Sequence, residues 1–266
     1  MDAFLLAAGL GTRLRPLTDE IPKPLVLLSG EPLISRNLKL LKKINCSRVV
    51  VNTHYLSRKL DDYLGDGSDW GMEVLTRHET SLLDTGGGLK NCIELLRGSY
   101  FLTWNSDVYI DPSFVELESG SSEFENLRAI SNCEEKNPII SLVVRRDTED
   151  NIKHYGGLGI NSEGRLVEFL GKKYGDSEVK ERVMFAGITI CKREVQKFFP
   201  LNQSVFSLTR DIFPSILAES ADRASGGIWT SFCTSYWNDV GTIDRLNAAS
   251  KEVERYSART KSEIKN

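Results

Sequence analysis

The chain has 266 residues, 40% of them apolar and 27% charged, with a formal net charge of −3. This length suits one large domain able to bury a sizeable core, and the ordinary composition excludes fibrous, low-complexity and disordered classes. The slight negative charge excludes a general basic surface for nucleic acid, so any phosphate must be held by a few local cations and backbone N–H groups.

Residues 3–7 form a continuous apolar run, the mark of a parallel strand buried on both faces. Extended to Leu10, the run could pass for a short leader core. It follows the acidic Asp2, however, and passes directly into Gly11-Thr12-Arg13, so a first strand is the better reading. A second short apolar run covers 25–28. Ile34, Leu38 and Leu41 then mark a helix face, 49–51 a strand, and Leu56, Leu60 and Leu64 another helix that stops at Gly65-Asp66-Gly67. Residues 72–75 read as a strand. Gly86-Gly87-Gly88 opens a helix carrying Leu89, Ile93 and Leu96, and 100–104 is the next strand. This alternation predicts an α/β fold with a Rossmann-like, mostly parallel central sheet and helices on both faces.

The second half changes rhythm. Residues 118–125 read as a surface loop and 139–144 as a strand. Residues 156–160 and 165–170 flank Asn161-Ser162-Glu163-Gly164 as a hairpin. A strand over 185–191 leads to a helix from about Arg193. Residues 208–218 read as a helix with Pro214 as kink or boundary, 229–237 as one strand, and the stretch from Thr242 onward as a charged helix. The expected organisation is one domain over 1–266. The first half spans 1–115, and the second, 116–266, carries a small hairpin and helical appendage suited to binding a substrate.

The segment Leu6-Ala7-Ala8-Gly9-Leu10-Gly11-Thr12-Arg13-Leu14-Arg15, followed by Pro22-Lys23-Pro24, is the densest in chemistry. Small residues after a buried strand let a ligand approach the backbone. Arg13 and Arg15 offer planar cations for phosphate oxygens, and two prolines stiffen the segment holding Lys23. A lone GxG would read as a plain turn; joined to these cations it reads as a phosphate loop. Leu14 stands where the dinucleotide fingerprint needs glycine, and no GxxxxGK[ST] occurs, so a nicotinamide-binding dehydrogenase and a P-loop enzyme are both excluded. Asp107 after one strand and Asp239 before Gly241-Thr242 each read alone as turn or cap residues. Paired at one sheet edge they suit Mg²⁺, which takes a few carboxylates beside substrate phosphates.

Cys46, Cys92, Cys133, Cys191 and Cys233 are scattered and form no CxxC, as expected of reduced thiols in a cytoplasmic protein. His54, His78 and His154 lack ligand spacing. Trp104, Trp229 and Trp237 read as core. Tyr155-Gly156-Gly157 reads as a turn facing a ligand or as a plain hairpin end. No run approaches membrane-spanning length.

The run Leu-Ala-Ala-Gly-x-Gly-Thr-Arg-Leu-Arg-Pro-Leu-Thr with a following Pro-Lys-Pro resembles the signature of sugar-1-phosphate nucleotidylyltransferases. The resemblance covers most of the chain, weakens toward the C-terminus, and implies a nucleotide-binding half over 1–115 and a sugar-phosphate-binding half over 116–266. It implies that Leu6, Ala7, Ala8, Gly9, Gly11, Thr12, Arg13, Lys23 and Asn105 hold a nucleoside triphosphate, with Arg13 and Lys23 catalytic. Thr85, Gly86 and Gly87 would face base and ribose. Lys172, Gly157 and Gly187 would bind the sugar phosphate, and Asp107 and Asp239 would hold magnesium. Where the family often has Glu-Lys-Pro this chain has Gly171-Lys172-Lys173, which leaves the choice between Lys172 and Lys173 open. The implied partners are UTP or GTP, with CTP third, and a sugar 1-phosphate. The Thr-Gly-Gly-Gly loop and the short chain are similar to N-acetylmuramate-1-phosphate uridylyltransferases and mannose-1-phosphate guanylyltransferases. A phosphocholine-type cytidylyltransferase and a catalytically silent nucleotide-sugar sensor are the rival readings. Monomer and homo-oligomer are both open.

Overall fold

The computed structural model describes residues 1–116, 121–154 and 156–263. The first half contains β1 (Asp2–Leu6), β2 (Leu27–Leu28), β3 (Glu31–Pro32), α1 (Leu33–Lys43), β4 (Arg48–Thr53), α2 (Ser57–Leu64), β5 (Glu73–His78), α3 (Asp84–Cys92), β6 (Tyr100–Asn105) and β7 (Val108–Ile110). The second half contains α4 (Glu123–Ser131), β8 (Ile140–Arg145), α5 (Glu149–His154), β9 (Leu158–Ile160), β10 (Leu166–Phe169), β11 (Lys172–Lys173) and β12 (Glu181–Lys192). It ends with α6 (Phe213–Ser220), β13 (Ile228–Phe232), β14 (Trp237–Asp239) and α7 (Ile243–Glu263).

The main sheet is mixed. Its order is β11-β10-β9-β12-β6-β1-β4-β5, with β8 joined to β12 and β13 to β8. The β6-β1-β4-β5 block is parallel, whereas β12 runs antiparallel to β6, β8 and β9. The apolar runs behave as the two-residue period of a strand requires. Phe4, Val50 and Phe101 point to one face, where they pack with Leu89 and Cys92 of α3 and Phe213 and Ile216 of α6. Ala3, Leu5, Val49, Val51 and Trp104 point to the other, against Ile34 and Leu38 of α1, Leu60 of α2 and Leu127 of α4. Full burial of each large side chain contributes about 1.5–3 kcal/mol, so a sheet covered on both faces is the stable arrangement for these runs. A third cluster seats α7: Leu246, Ala249 and Val253 pack on Leu14, Leu28 and Val240, tying the far end of the chain to the first loop.

Several expectations need correction. Residues 123–125 are not loop: Ser122 Oγ accepts from the Glu125 N–H (3.2 Å) and caps α4, and Phe124 and Leu127 are buried beneath it. The Ser-x-x-Glu spacing is a helix-start signal inside an otherwise polar stretch. Residues 118–120 lie outside the described residues. The run 229–237 is two strands, because β13 pairs with β8 while β14 leaves the main sheet and pairs with β7. The helix after β12 is a 3-10 turn over Arg193–Phe198. Of the run 25–28, only Leu27–Leu28 pairs as a strand, in a small hairpin with β3. Pro214 does mark a boundary: it stands in the first turn of α6, directly after a π-helical turn over Leu208–Ile212.

Candidate active site

The first loop is shaped by Gly11. Its φ of +66° is left-handed, and a Cβ there would lie 3.0 Å from Thr18 Cγ2 and 3.1 Å from Lys23 Cβ. Only glycine takes that conformation and that approach without strain. Lys23 is thereby held against the loop on a 3-10 turn over Lys23–Leu25, between its two prolines. Its Nζ sits 2.5 Å from Asp107 Oδ2, with the lysine side chain only 11% exposed.

Asp107 is placed by the end of β6. The Ser106 hydroxyl donates to the Leu6 carbonyl (2.6 Å), and Asn37 Nδ2 donates to the Ser106 carbonyl (3.0 Å), pinning the turn Asn105-Ser106-Asp107 to the end of β1. Asp239 arrives from far along the chain through the β7–β14 ladder, in which it pairs with Val108. The Val240 N–H donates to the Asp107 carbonyl (3.0 Å), so the two aspartates meet at one end of that ladder. Arg245 Nη1 lies 2.9 Å from Asp239 Oδ2. A Cβ on Gly241 would lie 2.8 Å from Arg13 Nη2 and 2.9 Å from Asp239 Oδ1, so this glycine lets the Arg13 guanidinium settle beside the second aspartate.

Three cavities meet here. The first, about 460 Å³, is bordered by Leu6, Ala7, Ala8, Gly9, Lys23 and Thr85 among others. The second, about 530 Å³, opens between Thr85, β9, β10 and α6. The third, about 360 Å³, is bordered by Arg13, Asp107, Gly187, Trp237 and Asp239. Asn105 borders all three, and Asp107 borders the first and third. Gly187 sits where the β12–β8 register breaks, between Phe185 and Thr189. Its φ is +80°, and a Cβ there would lie 2.9 Å from Asn105 Nδ2. The register break beside the cleft brings the backbone of β12 against the shared asparagine.

Other expected residues stand elsewhere. The Gly86 and Gly87 N–H groups both donate to the Phe206 carbonyl (2.9 and 3.0 Å), and neither glycine borders these cavities. Their lack of side chains lets residues 204–208 pack directly on α3: a Cβ on Gly87 would lie 2.1 Å from the Ser204 carbonyl oxygen. The Ala7 N–H is taken by Asn52 Oδ1 (2.8 Å). Thr12 is exposed on a 3-10 turn, and Arg15 pairs with Asp19 (3.2 Å) on the surface. Lys172 and Lys173 lie on the exposed edge strand β11 and border none of the three cavities; Lys172 Nζ sits 5.0 Å from the centre of the Tyr174 ring. Gly157 packs on Ile152, while Gly156 borders the second cavity. Tyr155 lies outside the described residues. Trp237, expected in the core, is half-buried at the third cavity and donates from Nε1 to the Ala186 carbonyl (2.8 Å). Trp104 and Trp229 are buried as expected.

Sequence reasoning missed Asn52 and Glu79. Both border the first cavity, and Glu79 is 2% exposed. Glu79 accepts from Asn52 Nδ2 (2.8 Å) and from the Leu83 N–H (3.1 Å), so its buried carboxylate is satisfied. The available signal was Asn52 itself, a polar residue closing an otherwise apolar strand at the sheet edge where α/β proteins bind ligands. His54 Nδ1–H donates to the Glu79 carbonyl oxygen (2.7 Å) and so supports this corner.

The family model for nucleotidyl transferases matches residues 2–256. The chain belongs to the nucleotidyl transferase family. It is 41% identical over 131 residues to N-acetylmuramate alpha-1-phosphate uridylyltransferase of Neisseria meningitidis, covering 48% of this chain and 57% of that protein. It is 28% identical over 255 residues to mannose-1-phosphate guanylyltransferase of Mycobacterium tuberculosis, covering 96% of this chain and 65% of that protein. The chain thus spans less than two thirds of the length of these relatives. Among solved structures, HddC from Yersinia pseudotuberculosis complexed with GMP-PN superposes with a TM-score of 0.70 at 22% identity, covering 95% of this chain and 99% of that one. That likeness shows the shared Rossmann-like fold. No helix among the described residues is long and apolar enough to cross a membrane.

Proposed function

We propose that this chain moves a nucleoside monophosphate from a nucleoside triphosphate onto a sugar 1-phosphate, giving an NDP-sugar and pyrophosphate. The observation that carries the reading is the meeting of three cavities at Asn105, with Lys23, Arg13 and both aspartates around the junction. The nucleotide would occupy the first cavity, the sugar the second, and the phosphates the third. UTP or GTP is favoured, with CTP third, because the two relatives named above are a uridylyl- and a guanylyltransferase.

The chemistry needs no general base. A phosphate oxygen of the sugar 1-phosphate is already ionised; it attacks the α-phosphorus, the α–β bridging P–O bond breaks, and the electron pair leaves with pyrophosphate. What the protein supplies is alignment and charge neutralisation. Arg13 and Lys23 take the charge growing on the leaving pyrophosphate, and Asn105 offers an amide to the reacting phosphate. The exposed positions of Lys172 and Lys173 argue against either as the sugar-phosphate anchor.

Asp107 and Asp239 fit a magnesium ion: two carboxylates border one cavity, leaving the remaining positions to phosphate oxygens and water, the ligand set this cation takes. When bound, magnesium would screen the triphosphate oxygens from one another and withdraw charge from the α-phosphorus. Lys23 and Arg245 keep the two carboxylates neutralised in the ligand-free protein.

Pyrophosphate release measured with four NTPs against a panel of sugar 1-phosphates tests the reading. Release with one NTP and one class of sugar phosphate is expected. NTP binding without release across the panel would instead make the chain a nucleotide-sugar sensor.

A further inference from the structure

Among the described residues, two hairpins turn on two-residue loops: Ser29-Gly30 between β2 and β3, and Leu170-Gly171 between β10 and β11. In both loops the two φ angles are positive, +49° and +81° in the first and +50° and +77° in the second. This is the type I′ arrangement, which favours Asn or Gly at its first position. Ser29 is at least small and polar. Leu170 is neither, and a bulky side chain with a left-handed φ is a steric outlier. It is also 59% exposed. Leu56 shares the left-handed φ, but it is half-buried.

Neither the turn nor the core accounts for a leucine at position 170. Asparagine would make a better turn there, and any polar residue a better surface. Backbone strain of this kind concentrates where a ligand is held.

Leu170 borders the second cavity and neither of the other two. It extends an apolar wall. Leu158, Phe169, Phe185 and Phe213 border the same cavity, and the Phe213 ring centre lies 5.8 Å from that of Phe169 and 6.3 Å from that of Phe185. Leu170 Cδ2 rests beside Gly156, where a Cβ would lie 3.2 Å from it, so the bare glycine leaves the leucine room at the cavity mouth. The strand leading into the turn is fixed from both sides: Phe169 pairs with Lys172 of β11 and with Leu158 of β9. The side chain is thus held at the rim by a paired backbone, with most of its surface in water.

A pyranose ring is amphipathic. Its hydroxyls project around the edge, while its faces carry hydrogens bound to carbon. An apolar wall that ends in an exposed leucine suits such a face and offers nothing to a charged group.

We propose that Leu170 is an acceptor-binding residue: its side chain covers the C–H face of the sugar ring of the sugar 1-phosphate and is itself buried when that ring is bound. The inference rests on the transfer reaction proposed above and adds a contact to its acceptor site. The strained turn is what carries an apolar side chain to the place where the ring must be covered. Burying the exposed part of a leucine corresponds to about a tenfold gain in affinity.

Calorimetry tests this on the full chain holding magnesium and a non-hydrolysable NTP analogue. The titrants are the 1-phosphates of glucose, mannose, N-acetylglucosamine and N-acetylmuramate. Leu170→Asn should weaken the tightest of these about tenfold while leaving the affinity for the NTP analogue within about twofold. It should also raise the melting temperature by about 2–4 °C as the turn relaxes. Leu170→Met, apolar but equally strained, should bind the sugar 1-phosphate within about threefold of the unmodified protein and melt with it. Undiminished sugar 1-phosphate binding in Leu170→Asn, equal weakening of the NTP analogue, or a lowered melting temperature would each overturn the proposal. The last is what a leucine serving only to pack the hairpin would show. If none of the four binds the unmodified protein, the transfer reaction and the proposal fall together. Binding without pyrophosphate release from a hydrolysable NTP would sink the transfer reaction alone, and the Leu170→Asn comparison would still decide the role of the leucine.

Discussion

In the β6-β1-β4-β5 block all strands run the same way, so residues at the C-terminal ends of β1, β4, β5 and β6 lie at one edge and border one cleft. Around β12 neighbouring strands run in opposite directions, and nearness in sequence to a strand end carries no such guarantee. Gly187 reaches the cleft because the β12 register breaks beside it. Lys172, three strands farther out on β11, stays on the surface. Parallel topology thus turns local sequence into site geometry, whereas antiparallel pairing makes the site depend on register.

The strongest way to break this contrast is to remove charges from the parallel-edge site. Arg13→Ala and Asp107→Ala should each lower pyrophosphate release by about 10²–10³ while the circular dichroism spectrum is preserved. Near-normal turnover in either would remove that residue from the reaction. A smaller effect is expected where α3 meets residues 204–208. Gly87→Ala places a methyl 2.1 Å from the Ser204 carbonyl oxygen. Overpacking of this kind costs about 1–3 kcal/mol, read as a lowered denaturant midpoint. On the antiparallel side, Lys172→Ala should change turnover by less than about threefold, as for an exposed side chain away from the site. A loss as large as that of Arg13→Ala would place β11 in the cleft during turnover.

The smallest expected signal concerns the thiols. Burial pushes Cys46, Cys92 and Cys191 up to about 12, and Cys233 higher still, so at neutral pH these thiols stay protonated and unreactive. Cys133 is the partly exposed one. A thiol reagent should label Cys133 first in the native protein and all five cysteines after unfolding; rapid native labelling of two or more would contradict the packing.

How much was legible follows the same contrast. The continuous apolar runs fixed β1, β4 and β6, and Lys23 and Arg13 could be singled out because each follows or adjoins such a run. Asp107 and Asp239 were legible only in combination, since each alone reads as a turn or cap and nothing local announces the β7–β14 ladder that brings them together. Glu79 and Asn52 escaped because a buried hydrogen-bonded pair has no spacing signature. The glycine run at 86–88 was legible as special, but its use in packing against Phe206 depends on a segment about 120 residues away, which no local pattern encodes. The Ser122-x-x-Glu125 cap was hidden in a stretch whose polarity resembles loop.

The proposal that Asp107 and Asp239 converge on one metal-bound triphosphate is tested most directly by calorimetric titration of the preferred NTP, with magnesium and with EDTA. The account predicts at least about tenfold tighter binding with magnesium in the unmodified protein, and loss of that difference in both Asp107→Asn and Asp239→Asn. Equal affinity with and without magnesium, or a magnesium effect that survives in either variant, would contradict it.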